Sequence, residues 1–382
     1  MKILLVGEYS RLHNSLKEGL TLLGYKVLLV STGDFFKDYP SDIKLKRNFD
    51  TGFLKKIKVI IFKVFKIDIT SLSVKNQFFK HKKEFKGFDI VQLINESPFT
   101  ITPKYEQQII AFLKKYNTKL FLLSCGTDFI SVSYALSRKL PYSILKEYID
   151  GIATKNDFEH SLKYVTPPYQ KLHRFVLKNI EGIISTDLDY HIPMMGHQKY
   201  LGMIPNPINI NTLPVIELPV DQEIKIFLGI NRSNYNTKGI KYFEEALQFI
   251  KLKYAKKVEI KIVESLPYKE YIKSYNESHI ILDQVLGMDQ GYNALEAMAK
   301  GKVVFTGAEK EWLSYYQLEE NTIAINAVPD AEKIANELSI LIENPSKIIE
   351  IGANARRFIE EYHHLDRVTK MYLGMWNTSI KN

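Results

Sequence analysis

The sequence predicts an α/β protein of two domains, each a parallel sheet covered by helices, facing one another across a cleft. Three observations predict it. Short apolar runs alternate with amphipathic helical stretches from the first residues onward. The alternation stops at 201–214, "LGMIPNPININTLP", where three prolines and three asparagines cluster as in a connection between domains. It then restarts with "IKIFLGI". The domains expected are 1–204, 205–365, and a C-terminal helix over 366–382 packing back toward the first.

In the first half, "ILLVG" (3–7) reads as a strand and "EYSRLHN" as a loop. A helix follows on Leu16, Leu20 and Leu23, then a turn at Gly24 and a strand over 26–30. Further strands are expected at 88–95, 119–125 and 181–186, the second running into the loop "CGTDF". In the second half the strands are 224–230, "VEIKIVES", "HIILDQV", "KVVFTG" and "TIAINA". The helices between them include "IKYFEEALQFIKLKY" and "NALEAMAKG". In open parallel sheets ligands bind beyond the carboxyl ends of the strands. The loops after Gly7, Cys125, Ile230 and Val285 hold that position.

Bulk properties narrow the function classes. The chain has 382 residues, 45% hydrophobic and 25% charged, a globular balance. Its one cysteine, Cys125, precludes an intrachain disulfide and suits a cytoplasmic setting. The apolar start is too short for a signal peptide, and no run approaches the roughly 18 residues of a membrane span. Net charge is +9, which admits anionic partners. No nucleic-acid motif accompanies the charge, so nucleic acid is not expected. A Walker loop, a Gly-x-Ser-x-Gly elbow and a Gly-x-Gly-x-x-Gly turn are all missing. His191 and His197 stand too far apart from other ligands to suggest a metal site.

Two stretches carry candidate chemistry. In "FLGINRSNYNTKG", Arg232 follows the strand end and Lys238 precedes the next helix. A guanidinium fork and an ammonium placed there suit phosphate oxygens; two solvated surface cations are the alternative. In "GYNALEAMAKGK", Gly291 permits close backbone approach, and Asn293 is a residue type suited to capping the helix. A phosphate can rest on the open amides. Glu296, one turn further in, can accept two hydrogen bonds from vicinal hydroxyls such as those of a ribose. Alternatively it completes a cap with Asn293. Asp128 in "CGTDF" either orients an acceptor hydroxyl or caps its loop.

Taken together, "INRSNYNTKGIKYFEEAL", "GYNALEAMAKGKVVFTG" and "IPNPIN" resemble, in order and spacing over 204–307, the donor domain of retaining GT-B glycosyltransferases of family 4. The first half is more loosely similar, through "LLVGEYSRLHNSLKEGLTLLGYKVLLV" and "CGTD". The resemblance implies a GT-B fold of two Rossmann-like domains. It implies transfer of a hexosyl-type group from a nucleotide sugar to a glycan or lipid-linked acceptor, with retention, in cell-surface polysaccharide synthesis. Arg232 and Lys238 would stabilise the leaving diphosphate and Glu296 would hold the ribose. Gly291, Tyr292, Asn293, Ala294 and Leu295 would touch the nucleotide, and Gly7 would face it from the other domain. No cofactor or metal is implied, and no Asp-x-Asp pair is read as a cation site. Met288 stands where the family has the first Glu of its Glu-x7-Glu motif, and Cys125 where it often has His. A sugar-nucleotide epimerase and a non-catalytic sugar-nucleotide or glycan binder remain alternatives.

One further segment stands out. Between Lys44 and Lys86 there are thirteen Lys/Arg against Asp50, Asp68 and Glu84. Within it, Phe53, Leu54, Ile57, Ile60, Ile61, Val64 and Phe65 fall on one helical stripe, with Lys55, Lys56, Lys58, Lys63 and Lys66 mostly off it. Such a helix over 53–67 either packs on its own domain or lies on an anionic membrane surface, which would make the protein peripheral to the inner face of the plasma membrane.

Overall fold

The computed structural model describes residues 1–33, 39–264 and 268–378. Among the described residues, twelve strands form two sheets. The first holds β1 (Lys2–Val6), β2 (Lys26–Ser31), β3 (Ile43–Lys44), β4 (Ile90–Leu93), β5 (Lys119–Ser124), β6 (Gly182–Ser185) and β7 (Tyr200–Met203), in the order 3-2-1-4-5-6-7. The second holds β8 (Ile224–Ile230), β9 (Val258–Glu264), β10 (Ile280–Leu282), β11 (Val303–Thr306) and β12 (Ile325–Asn326), in the order 12-11-10-8-9. Every pairing is parallel. Parallel sheets are covered on both faces, which is why their strands read as unbroken apolar runs. Ile3, Leu4, Leu5, Val6, Phe227, Leu228, Val304 and Phe305 are fully buried.

Each sheet reverses strand order once, between β1 and β4 and between β8 and β10. Such reversals open a crevice at the carboxyl ends. Gly7, just after β1, has φ +88°. A Cβ there would lie 2.3 Å from Ile94 Cγ2 and 2.7 Å from the Pro98 carbonyl oxygen. Only glycine lets the loops after β1 and β4 close on each other this tightly.

Two strands depart from the sequence expectation. β3 is two residues long, and β7 lies partly inside the Pro/Asn stretch read as connection. Gly202, at φ +130°, breaks the alternation that would have marked β7. The last helix, Leu365–Thr378, leaves the second sheet and packs on the first helix, Leu12–Leu22. A Cβ on Gly19 would lie 2.0 Å from Thr369 Oγ1, so the two helices touch at a glycine. Buried Trp376 donates to Gln92 Oε1 at 3.0 Å, tying this helix to β4.

Candidate functional site

The crevice of the second sheet is built from the loops after β8 and β10. Asn231 accepts from the Ser233 amide at 3.0 Å and starts a 3-10 turn, Arg232–Asn234. A single helical turn, Tyr235–Lys238, follows, and Gly239 leads into the helix Ile240–Tyr254. What reads in sequence as an open loop is therefore two short helical turns.

Lys238 Nζ lies 2.8 Å from Asp283 Oδ1 and 3.3 Å from the Asp283 carbonyl oxygen. The Val285 amide donates back to the Lys238 carbonyl at 2.8 Å. Asn293 Nδ2 donates to the same Asp283 oxygen at 2.9 Å. Asp283, 3% exposed, thus joins the β8 loop to the start of the helix Tyr292–Ala299. Its Oδ2 is buried without a hydrogen-bond partner, and a Cβ on Gly291 would lie 3.9 Å from it. Buried carboxylate oxygens need a donor, so this one marks a place for a donor group beside Gly291.

Arg232 is turned elsewhere. Its guanidinium forks onto Glu264 at the end of β9, with Nε and Nη2 at 2.7 and 2.6 Å from the carboxylate oxygens, and it stacks over the Tyr235 ring. Glu264 raises the Arg232 pKa, and Arg232 lowers that of Glu264. The pair is exposed, so it is weak and open to exchange for a phosphate.

The helix Tyr292–Ala299 begins one residue earlier than expected. Gly291 is its N-cap and no side chain caps it. Asn293 is not the cap; it lies within the helix, bonded to Asp283 and accepting from Tyr271 OH at 3.2 Å. Glu296 is consequently too far in to complete a capping box, which removes the cap with Asn293 as its role. The Leu295 amide makes the first intrahelical bond, to the Gly291 carbonyl, so the amides of Tyr292 to Ala294 have no helical acceptor. Ala294 and Leu295 are buried.

Glu296 is half-buried and shares a side of the helix with Tyr292 and Lys300, at four-residue spacing. Across the gap it faces Arg11, on the loop after β1. Burial works against the Arg11 charge, but Glu18, Tyr292 and Glu296 hold its pKa above the usual value. Tyr292 OH meets Ser15 Oγ at 2.5 Å and donates to the Pro207 carbonyl at 2.5 Å. The helix is thereby docked on the first lobe.

The loop after β10 is held from both lobes. The Met288 amide donates to both oxygens of Asp189 at 3.1 Å, and the Leu188 amide donates to Asp289 Oδ2 at 2.9 Å. Met288 itself is buried. Ligand oxygens of Asp187, Asp189 and Asp289 lie within 4.8 Å of one another, close enough to hold a cation or to share protons. Burial and mutual repulsion push Asp187 and Asp289 well up, and burial pushes Asp189 up to about 6. Asp187-Leu188-Asp189 is itself an Asp-x-Asp pair that the sequence reading overlooks. Asp289, about a hundred residues on, completes the trio only in the fold.

On the first lobe, Asp128 caps the helix Phe129–Leu136. Its Oδ1 accepts from the Ser131 amide at 2.7 Å and its Oδ2 from Ser124 Oγ at 2.6 Å. It is 1% exposed, with both oxygens engaged, so the geometry assigns it to capping rather than to an acceptor hydroxyl. Beside it lies a buried pair absent from the sequence reading, His173 Nδ1 and Glu96 Oε1 at 2.7 Å. Burial raises Glu96 to about 7, against the pull of His173. His13, fully buried, bonds the Gly7 carbonyl at 2.7 Å, and burial lowers its pKa to about 4. It is therefore neutral, with its proton on Nδ1, and braces the turn at Gly7.

The structure thus brings Lys238, Gly291 and Asn293 together through Asp283, and sets Tyr292 and Glu296 opposite the β1 loop. Arg232 and Asp128 stand apart from that group.

Two parallel sheets joined in this way define the GT-B fold. Residues 225–374 match the family model described as Glycosyl transferase-like. Over essentially the whole chain the fold is similar to sucrose-phosphate synthase from Thermosynechococcus elongatus, with a TM-score of 0.62, 14% identity, and coverage of 100% of this chain and 99% of that one. It is similar also to Anabaena HepE in complex with UDP and glucose, with a TM-score of 0.60, 12% identity, and 99% of each chain covered. A glycosyltransferase from Rickettsia africae gives 0.53 at 15% identity, covering 100% of this chain and 98% of that one. No curated protein matches the chain.

Proposed function

We propose that the chain is a family 4-like glycosyltransferase. It moves a hexosyl group from a nucleoside diphosphate sugar to a glycan or lipid-linked acceptor, with retention, in cell-surface polysaccharide synthesis on the cytoplasmic side of the membrane. The observation that carries this reading is the join of Lys238, Asp283 and Asn293 at the β8/β10 crevice, beside a helix start with open amides. The match of 225–374 to a glycosyl transferase-like family supports it.

The diphosphate rests on the amides of Tyr292 to Ala294, and Lys238 lies next to it, exchanging part of its contact with Asp283 for phosphate oxygen. Glu296 accepts from the ribose hydroxyls. The donor C1–O bond breaks with its electron pair passing to the diphosphate. The acceptor hydroxyl bonds to C1 and its proton leaves to the departing phosphate. Charge grows on the diphosphate during this step, so a fixed cation there accelerates it. Arg232 reaches the same oxygens by releasing the exposed Glu264. In this proposal the step proceeds without a metal.

Incubation with UDP-hexoses, with and without oligosaccharide acceptors, followed by product analysis, tests this. A glycosylated product with the donor's anomeric configuration is expected. Epimerised free nucleotide sugar would replace the proposal with an epimerase. Binding without turnover would favour a sugar-nucleotide binder, the reading that Met288 invites.

A further inference from the structure

The helix Gly52–Phe65 buries none of its residues. Its neighbour in sequence, Ile69–Lys80, buries Thr70, Ser71, Val74 and Phe78. Phe53 is 75% exposed, Ile60 61%, Val64 65% and Phe65 66%, and Leu54, Val59 and Phe62 are exposed as well. Phe53, Ile57, Ile60 and Val64 are spaced to form one continuous stripe, with Leu54, Ile61 and Phe65 along its edge; Ile57 and Ile61 are half-buried and the other five are exposed. Lys55, Lys56, Lys63 and Lys66 lie on the opposite side, all exposed. No acidic residue occurs between Asp50 and Asp68. An apolar strip of this extent on a soluble surface marks an interaction site.

The helix is tied down from its middle, where Ile57, Lys58 and Ile61 are half-buried. Lys58 Nζ sits 2.6 Å from Asp50 Oδ1 and 3.7 Å from Asp68 Oδ1, and Arg47 Nε is 2.7 Å from Asp50. Arg47 also donates to the Phe99 carbonyl at 2.9 Å, in the loop after β4. The helix is thus an addition to the β3-to-β4 crossover, placed at the carboxyl end of the sheet, the end at which the cleft opens.

We propose that the helix Gly52–Phe65 is a docking surface for an anionic lipid bilayer. It lies in the headgroup layer with Phe53, Ile60 and Val64 toward the acyl chains and the lysines among lipid phosphates. Charge complementarity selects this occupant. A second copy of the chain would bring the like-charged lysine flanks of two helices together. Docking of this kind places the cleft mouth at the membrane, within reach of a lipid-linked substrate. The inference stands on the exposed helix and does not require the transferase reading.

Co-sedimentation of the full chain with vesicles tests it, using phosphatidylcholine alone and phosphatidylcholine mixed with phosphatidylglycerol. The chain is expected to sediment with the mixed vesicles and weakly with the neutral ones. Phe53→Ser/Ile60→Ser/Val64→Ser abolishes sedimentation. Each of Lys55→Gln, Lys56→Gln, Lys63→Gln and Lys66→Gln weakens it by about fivefold, the effect of one lysine near an anionic surface. The substituted side chains are exposed, so melting temperature and UDP affinity should match wild type, which separates this test from that of the cleft. Absence of sedimentation with the mixed vesicles, or equal sedimentation of the triple variant, overturns the proposal. So does a wild-type dimer that the triple variant disperses without any affinity for vesicles, which would make the occupant a second copy.

Discussion

Replacing Lys238 by Met tests the junction at the centre of the site. The change keeps most of the side-chain volume and removes the ammonium that sits 2.8 Å from Asp283 Oδ1. Asp283 would keep one side-chain donor, Asn293 Nδ2. Its carboxylate is 1% exposed and the lysine side chain 28% exposed, so the pair lies between a buried and a surface ion pair. Breaking a buried pair from one side costs about 3–5 kcal/mol. With one partner partly solvated, a loss of about 2–3 kcal/mol of unfolding free energy is expected, read from urea denaturation. Lys238→Met/Asp283→Leu should recover most of it, since the stranded charge is gone. Turnover of both variants should fall by about 10²–10³, the scale of one missing charge-stabilising contact in a transition state. A Lys238→Met protein within about 0.5 kcal/mol of wild type, the range of neutral surface changes, and with unaltered turnover would refute the reasoning.

Arg232→Ala should leave unfolding free energy nearly unchanged, because its pair with Glu264 is exposed. It should lower kcat more than it weakens donor binding, and steady-state kinetics with unchanged kcat would remove Arg232 from the reaction. Stability should also depend on His363, which is buried against the Asn206 carbonyl with its pKa lowered to about 4. The unfolded histidine, near 6.5, takes up its proton first, so the neutral folded form is penalised as pH falls from 6.5 to 4. The stability of wild type relative to His363→Asn should therefore decline by about 3 kcal/mol over that window and be level above pH 7. A difference independent of pH would contradict the assignment.

The parts of the fold legible in the sequence are those that depend on local pattern. β8 occupies the expected residues because every position from Ile224 to Ile230 is apolar except Lys225 and Gly229. The helix carrying Glu296 is marked by its small residues. β3 was illegible because two residues carry no periodicity. At the site, charge pairs formed over distance decide the geometry. Arg232 turns toward Glu264, 32 positions away, and Lys238 toward Asp283, 45 away. Neither partner is marked by a local motif. The same holds for Glu96 with His173, and for Asp289 with Asp187 and Asp189. The stripe on 53–65 was visible in the sequence, whereas the exposure of Phe53, Ile60, Val64 and Phe65 required the structure.

The most direct test of the nucleotide site is calorimetric titration of UDP into wild type and Glu296→Ala. Glu296 is half-buried on a helix whose cap does not depend on it, so the variant should fold normally. A single UDP site is expected in wild type, with affinity reduced at least about tenfold in the variant, the loss of one charge-assisted hydrogen-bonding group. Equal affinities, or no binding by the wild-type chain to any nucleoside diphosphate, would contradict a nucleotide site at the β8/β10 crevice.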